Sequence, residues 1–102
     1  MNPEITLEEA QAIVDTKTAP RVTKELIDSI IKDTKFLYDG TTTIAIVTVE
    51  NGFKFIGTST PADESNYDKQ VGERYAYDNA YKQIWTHEGY ILRELIYQSV
   101  LA

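Results

Sequence analysis

Residues Thr41 to Val49 (TTTIAIVTV) are rich in β-branched side chains, meet Asn51-Gly52, and are followed by a return run from Phe53 to Thr60. β-branched residues favour extended backbone, and Asn-Gly between two such runs is a strong hairpin signal, because a type I′ turn needs positive φ at both central residues. The expected element is a hairpin of about 41–49 and 53–60. A two-residue turn sets Glu50 opposite Phe53, Thr48 opposite Phe55, Ile46 opposite Gly57 and Ile44 opposite Ser59. Val49, Val47, Ala45, Lys54, Ile56 and Thr58 then share the other face. Each face is partly apolar, and an isolated two-stranded ribbon is marginal in water. Helices must cover the hairpin, and another chain or strand is expected to complete the cover, which argues for a homo-oligomer.

Helical signals flank the hairpin. Thr6-Leu7-Glu8-Glu9 reads as a capping box, followed by an apolar stripe of Leu7, Ala10, Ile13 and Val14. Asp15 to Pro20 reads as a turn. Thr23 is a second N-cap, and Leu26, Ile27, Ile30 and Ile31 repeat at helical spacing to about Asp33. Phe36, Leu37 and Tyr38 read as a short connection ending in the Asp39-Gly40 turn. After a polar loop from Pro61, Ser65 or Asn66 can cap a third helix. Thr86 to Gly89 reads as a break before a fourth, carrying Ile91, Leu92, Leu95, Ile96 and Val100. The predicted class is α+β: a central antiparallel hairpin covered by two N-terminal and two C-terminal helices.

At 102 residues the chain is read as one domain, with 1–19 as a helical extension and 20–101 as the core. The formal charge is −6, with nine acids against five bases through Asn51 and seven against five after it. No basic stripe is available for a phosphate backbone, so nucleic acid is not an expected partner. An acidic surface suits docking on a basic protein surface. No run approaches the ~18 apolar residues of a membrane span. The opening MNPEITLEEAQ is not read as a signal peptide, and a cytoplasmic location fits.

Chemistry is sparse. The chain has no cysteine and a single histidine, His87, so no metal set and no His-centred triad is nominated. Asp63, Glu64 and Asp68 lack the pattern of a calcium loop and suit a helix N-terminus. No phosphate-cradling glycine motif is present, no cofactor is expected, and the chain is read as a non-enzyme.

Residues 66–101 hold six of the seven tyrosines, the tryptophan and two of the three arginines. On a helical wheel Ala76, Tyr77, Ala80, Tyr81 and Ile84 form an apolar side where two alanines allow close approach. Tyr75 points away, while Trp85 and Tyr67 sit on a flank. Such rings either bury their faces at a surface edge or meet a partner. Glu73 near the apolar side needs a hydrogen-bond partner, or else reaches water. Arg74 and Arg93 with the tyrosines form a minimal kit for an anionic, ring-bearing ligand such as a nucleotide, pairing with Glu73 or Glu94 being the plain alternative. The binding candidates are Tyr67, Glu73, Arg74, Tyr75, Trp85, Tyr90 and Arg93.

From Pro20 onward a series of ordered pieces stands out: PRVTKE at 20–25, Gly40-Thr41-Thr42, Asn51-Gly52-Phe53 with Gly57, and Asn66-Tyr67-Asp68. Val71-Gly72, Ala76-Tyr77-Asp78-Asn79-Ala80, Ile84-Trp85, Glu88-Gly89-Tyr90 and Leu92-Arg93-Glu94 continue it. In these the chain resembles a family of small tailed-phage proteins, the gene product 49 / gene 66 family. The resemblance implies a phage accessory protein in the infected bacterial cytoplasm, and it carries over no site. Gly72 would permit close packing at the helix start and Gly89 a bend after Trp85. The leading expectation is a non-enzymatic protein that acts by binding and inhibits a host factor or antiviral defence protein. The alternative is a homo-oligomeric sponge for a nucleotide immune signal, and a second alternative is a minor structural or assembly protein.

Overall fold

A computed structural model of the chain describes residues 3–101. Helix α1 spans Leu7–Asp15 and helix α2 Lys24–Ile30. Strands β1 (Ile31–Asp39), β2 (Thr42–Val49) and β3 (Lys54–Ser59) follow, then a 3₁₀ turn at Glu64–Asn66 and helix α3, Lys69–Leu101. The class is α+β, as expected, but the elements differ from the expected ones in three places.

The hairpin has a third strand. The segment read as the end of a helix and a connection is β1, antiparallel to β2, in a sheet of order β1-β2-β3. Helix α2 stops at Ile30, and Ile31 is already extended. Thr34, Phe36 and Tyr38 pair with Val47, Ala45 and Thr43, while Lys35 and Leu37 pair with Ile46 and Ile44. Leu26, Ile27, Ile30 and Ile31 satisfy helical spacing locally, yet the unpaired edge of β2 claims the chain from Ile31 onward. Gly40, with φ 57°, takes the positive-φ position in the tight link from Asp39 to Thr42.

The β2–β3 register differs by one residue from the expected one. Val49 N–H donates to the Phe53 carbonyl at 3.0 Å, and Gly52 N–H donates to the Val49 carbonyl at 2.9 Å. Gly52 has φ 92°, whereas Asn51 has no positive φ. The loop is therefore Glu50-Asn51-Gly52, a turn closed by a left-handed glycine, in place of a two-residue I′ turn. Val47 pairs with Phe55, Ala45 with Gly57 and Ile46 with Ile56. A one-residue slip changes which side chains share a face. Thr43, Ala45, Val47, Val49, Phe55 and Gly57 are buried against α3. Leu37, Ile44, Ile46 and Ile56 lie on the uncovered face, with Leu37 and Ile56 exposed.

The two expected C-terminal helices are one. Helix α3 runs unbroken through Thr86–Gly89, and nothing lies within 4 Å of a side chain built at Gly89. Its N-terminus is capped by Asp68, whose carboxylate accepts from the Val71 N–H at 3.0 Å, and not by Ser65 or Asn66. The described residues thus hold three α-helices, two before the sheet and one after.

The core joins Ile27 of α2, Val47, Val49 and Phe55 of the sheet, and Ala80 and Ile84 of α3. Burying each large aliphatic chain there stabilises by about 1.5–3 kcal/mol. Ala76 and Ala80 allow the helix to lie directly on Gly57 of β3, and Gly72 lets it settle on Thr43. The capping box of α1 forms as read from the sequence, yet none of its residues is buried.

Candidate functional site

The seven candidate residues do not converge. All but Tyr67 lie along α3, where Glu73 and Arg93 are separated by roughly 30 Å at 1.5 Å per residue. Arg74 and Arg93 of one chain therefore cannot hold the same small ligand. The candidates divide into three groups along the helix.

Glu73 and Arg74 form the first group, beside β1 and α2. Glu73 is half-buried and accepts a hydrogen bond from the Tyr38 hydroxyl. That bond, with further help from partial desolvation, pushes the Tyr38 pKa up to about 12. The Glu73 carboxylate thus finds a hydroxyl partner on β1, not the neighbouring Arg74. Arg74 instead pairs with Asp78 one turn on, at 2.8 and 3.2 Å, and its guanidinium stands 5.9 Å from the centre of the Tyr77 ring. Lys69 stands over the Tyr38 ring at 5.2 Å.

Two clefts flank the Arg74–Tyr77 ridge. One, of about 470 Å³, is lined by Thr34, Phe36, Gln70 and Glu73 together with Arg74 and Tyr77. The other, of about 230 Å³, adds Lys24, Asp28, Asp78 and Tyr81. In the second cleft Tyr81 donates to the Asp28 carboxylate at 2.9 Å, and Lys24 pairs with Asp28 at 2.5 Å. The Lys24 hydrogen bond holds the Asp28 carboxyl below its ordinary value, with Tyr81 adding to it. Burial, followed by the bond to Asp28, pushes Tyr81 up to about 12.

Tyr67 and Tyr75 form the second group. They line a cleft of about 270 Å³ at the start of α3, with Pro61, Asp68 and Gly72. Trp85, Tyr90 and Arg93 form the third. Trp85 continues a ladder of rings, 6.4 Å from Tyr81, which is itself 5.9 Å from Tyr77. Tyr90 and Arg93 lie further along and are exposed; among the described residues Arg93 makes no ion pair, with Glu94 or any other acid. His87 is a surface residue in mid-helix, stacked on Phe53 and edge-on to Phe55.

The sequence reading missed Tyr38, Lys24, Asp28 and Gln70. Lys24 and Asp28 are a visible i,i+4 pair, but Tyr81 lies 53 residues from Asp28 and Glu73 lies 35 from Tyr38. No local pattern links such partners. Among the described residues no cluster of histidine, aspartate and glutamate could hold a metal ion, and no helix is long and apolar enough to cross a membrane.

The family model described as "Phage protein (N4 Gp49/phage Sf6 gene 66) family" matches residues 22–96. No curated protein and no solved structure matches the chain. The matched span holds α2, the sheet and all seven candidate residues, and leaves out α1.

Proposed function

The chain belongs to this family of phage proteins, and from that premise we propose that it acts by binding and not by catalysis, as a homo-oligomer that sequesters an anionic, ring-bearing small molecule of the infected cell, a nucleotide signal. The observation that carries this reading is the placement of Arg74. Its guanidinium lies over the Tyr77 face on a ridge between two clefts, with Phe36 and Gln70 lining one and Lys24 the other. An arginine fork recognises phosphate oxygens, and an aromatic face beside it accepts a base. Arg74 is held there by an exposed pair with Asp78, and exposed pairs contribute only about 0–1 kcal/mol, so a phosphate can displace the aspartate cheaply. Membership of a phage family fits a sequestering role in the host bacterial cytoplasm.

Calorimetry against a panel of cyclic and linear nucleotides tests this. Binding that Arg74→Ala weakens by a factor on the order of 10 to 100 supports the clefts as the site. Silence across the panel, or binding indifferent to Arg74, removes the reading.

A second reading is docking on a host factor or antiviral defence protein through Tyr67, Tyr75 and Trp85. The exposure of Tyr75 and Trp85, at 62% and 40%, favours it. A specific partner recovered from host lysate and lost with Trp85→Ala would select this role over the first.

A further inference from the structure

Two apolar surfaces of one chain stand open to solvent. The first is the sheet face opposite α3. The cross-strand registers set Lys35, Ile46 and Ile56 in one row and Leu37, Ile44 and Thr58 in the next. Ile56 is 54% exposed there and Leu37 42%.

The second is the stripe of α1. Leu7, Ala10, Ile13 and Val14 share one side of that helix, with Glu8 and Asp15 on the other. Leu7 is 91% exposed, and no residue of α1 is buried. The capping box is formed, yet nine residues fall short of the roughly 12–15 at which a lone helix becomes even marginally stable in water. A helix this short is held by the face it buries. Among the described residues, the hydrogen bonds and ion pairs of α1 reach no further than Arg21 in the link to α2. That contact with Asp15, at 3.4 Å and open to solvent, is too weak to fix the helix in place.

We propose that α1 is a strap that closes on the open sheet face of its own chain, laying Leu7, Ile13 and Val14 over Ile44, Ile46 and Ile56. Three observations select this occupant. The first is the tether. Residues 16–23 can extend to roughly 26–29 Å at 3.3–3.6 Å each. Strand β1 is the edge of the sheet, so no further strand bars the way from α2 round to the open face. A tether that short keeps α1 beside the face at a roughly millimolar effective concentration. The second is charge. Residues 4–16 carry four acids and no base, within a chain of net charge −6. The open face is balanced, with Lys35 and Lys54 against Asp33 and Asp39, and Lys35 stands beside Ile46 in the same row. An acidic helix meets no net repulsion on it. The third is size. Nine helical residues span about 14 Å, enough to cross three strands spaced about 4.8 Å apart. The strap lies outside the family-matched span of 22–96, and its closure calls on no ligand and on neither Arg74 cleft.

Hydrogen exchange on the full chain tests the closure. The amides of α1 are expected to exchange on the order of 10-fold faster in Ile56→Asp than in wild type, because that residue meets α1 only in the closed form. Leu37→Asp, on the same face but another strand, is expected to do the same. Unchanged exchange of the β2 amides verifies that each variant is folded. A spin label at Glu8→Cys, the single thiol in a chain that has no cysteine of its own, then identifies the occupant. It is expected to broaden the methyl signals of Ile44, Ile46 and Ile56 in its own chain. Those signals stay sharp when spin-labelled chains are mixed with isotope-labelled chains that carry no spin. Exchange in α1 that is indifferent to both face substitutions overturns the strap. So do methyl signals that stay sharp in the labelled chain itself, or broadening in the mixed sample, which hands the face to the helix of another molecule.

Discussion

Gly57 of β3 and Ala76 of α3 meet backbone to backbone: a Cβ on Gly57 would stand 2.1 Å from the Ala76 carbonyl oxygen and 2.5 Å from the Ala80 nitrogen. Neither atom can move without shifting the helix. Gly57→Ala is therefore expected to destabilise the fold by on the order of 3 kcal/mol or more, through displacement of α3 from the sheet. Urea unfolding measures it, and a change near zero would mean that helix and strand do not touch there.

Gly89 is the opposite case. It sits inside α3 with open space around it and no positive φ, so the glycine costs helix stability and serves no packing purpose in one protomer. Gly89→Ala is expected to raise stability by about 0.5–1 kcal/mol. A fall in the unfolding midpoint would point to a bend at Gly89 and against a continuous helix.

Thr43 is fully buried, and its Oγ1 has no hydrogen-bond partner; it faces the Gly72 backbone. A buried hydroxyl without a partner is a desolvation cost with nothing returned. Thr43→Val keeps the shape and removes that cost, so stability is expected to rise by about 1 kcal/mol. Loss of stability in thermal unfolding would show that the hydroxyl is bonded in solution.

Tyr81 and Asp28 give stability a signature at both ends of the pH scale, Tyr81 through burial and then its bond to Asp28, and Asp28 through the Lys24 bond and then that of Tyr81. Asp28 is held below its ordinary value, so its contribution is present above about pH 4 and is lost as pH falls through the lowered folded value. Tyr81 is pushed up to about 12, so its contribution is complete below about pH 10 and is lost as pH rises toward 12. Tyr81→Phe is expected to flatten the stability profile in the alkaline range and to reduce the acid-side loss. Superimposable profiles for wild type and variant, from denaturant midpoints across pH, would sink this assignment.

Much of the local structure was legible in the chain itself. Thr6 and Glu9 close their capping box, and Thr23 caps α2, because a cap needs only groups three residues apart. The two runs around Asn51-Gly52 form strands, and Ala76, Tyr77, Ala80, Tyr81 and Ile84 face inward as their spacing requires. Gly72 sits where close approach was expected of it. What the chain alone left open is whatever depends on a distant neighbour. Strand β1 exists because β2 offers it an unpaired edge, and its own residues read equally as a helix end. The register turns on one residue of loop length, settled when Phe55 and Gly57 face Ala76 and Ala80. Helix α3 stays whole because a single glycine costs about 1 kcal/mol, too little to break so long a run of hydrogen bonds. The candidate residues were found by type and dispersed by geometry: a side chain's identity is local, but its neighbours are set only when helix and sheet close on one another.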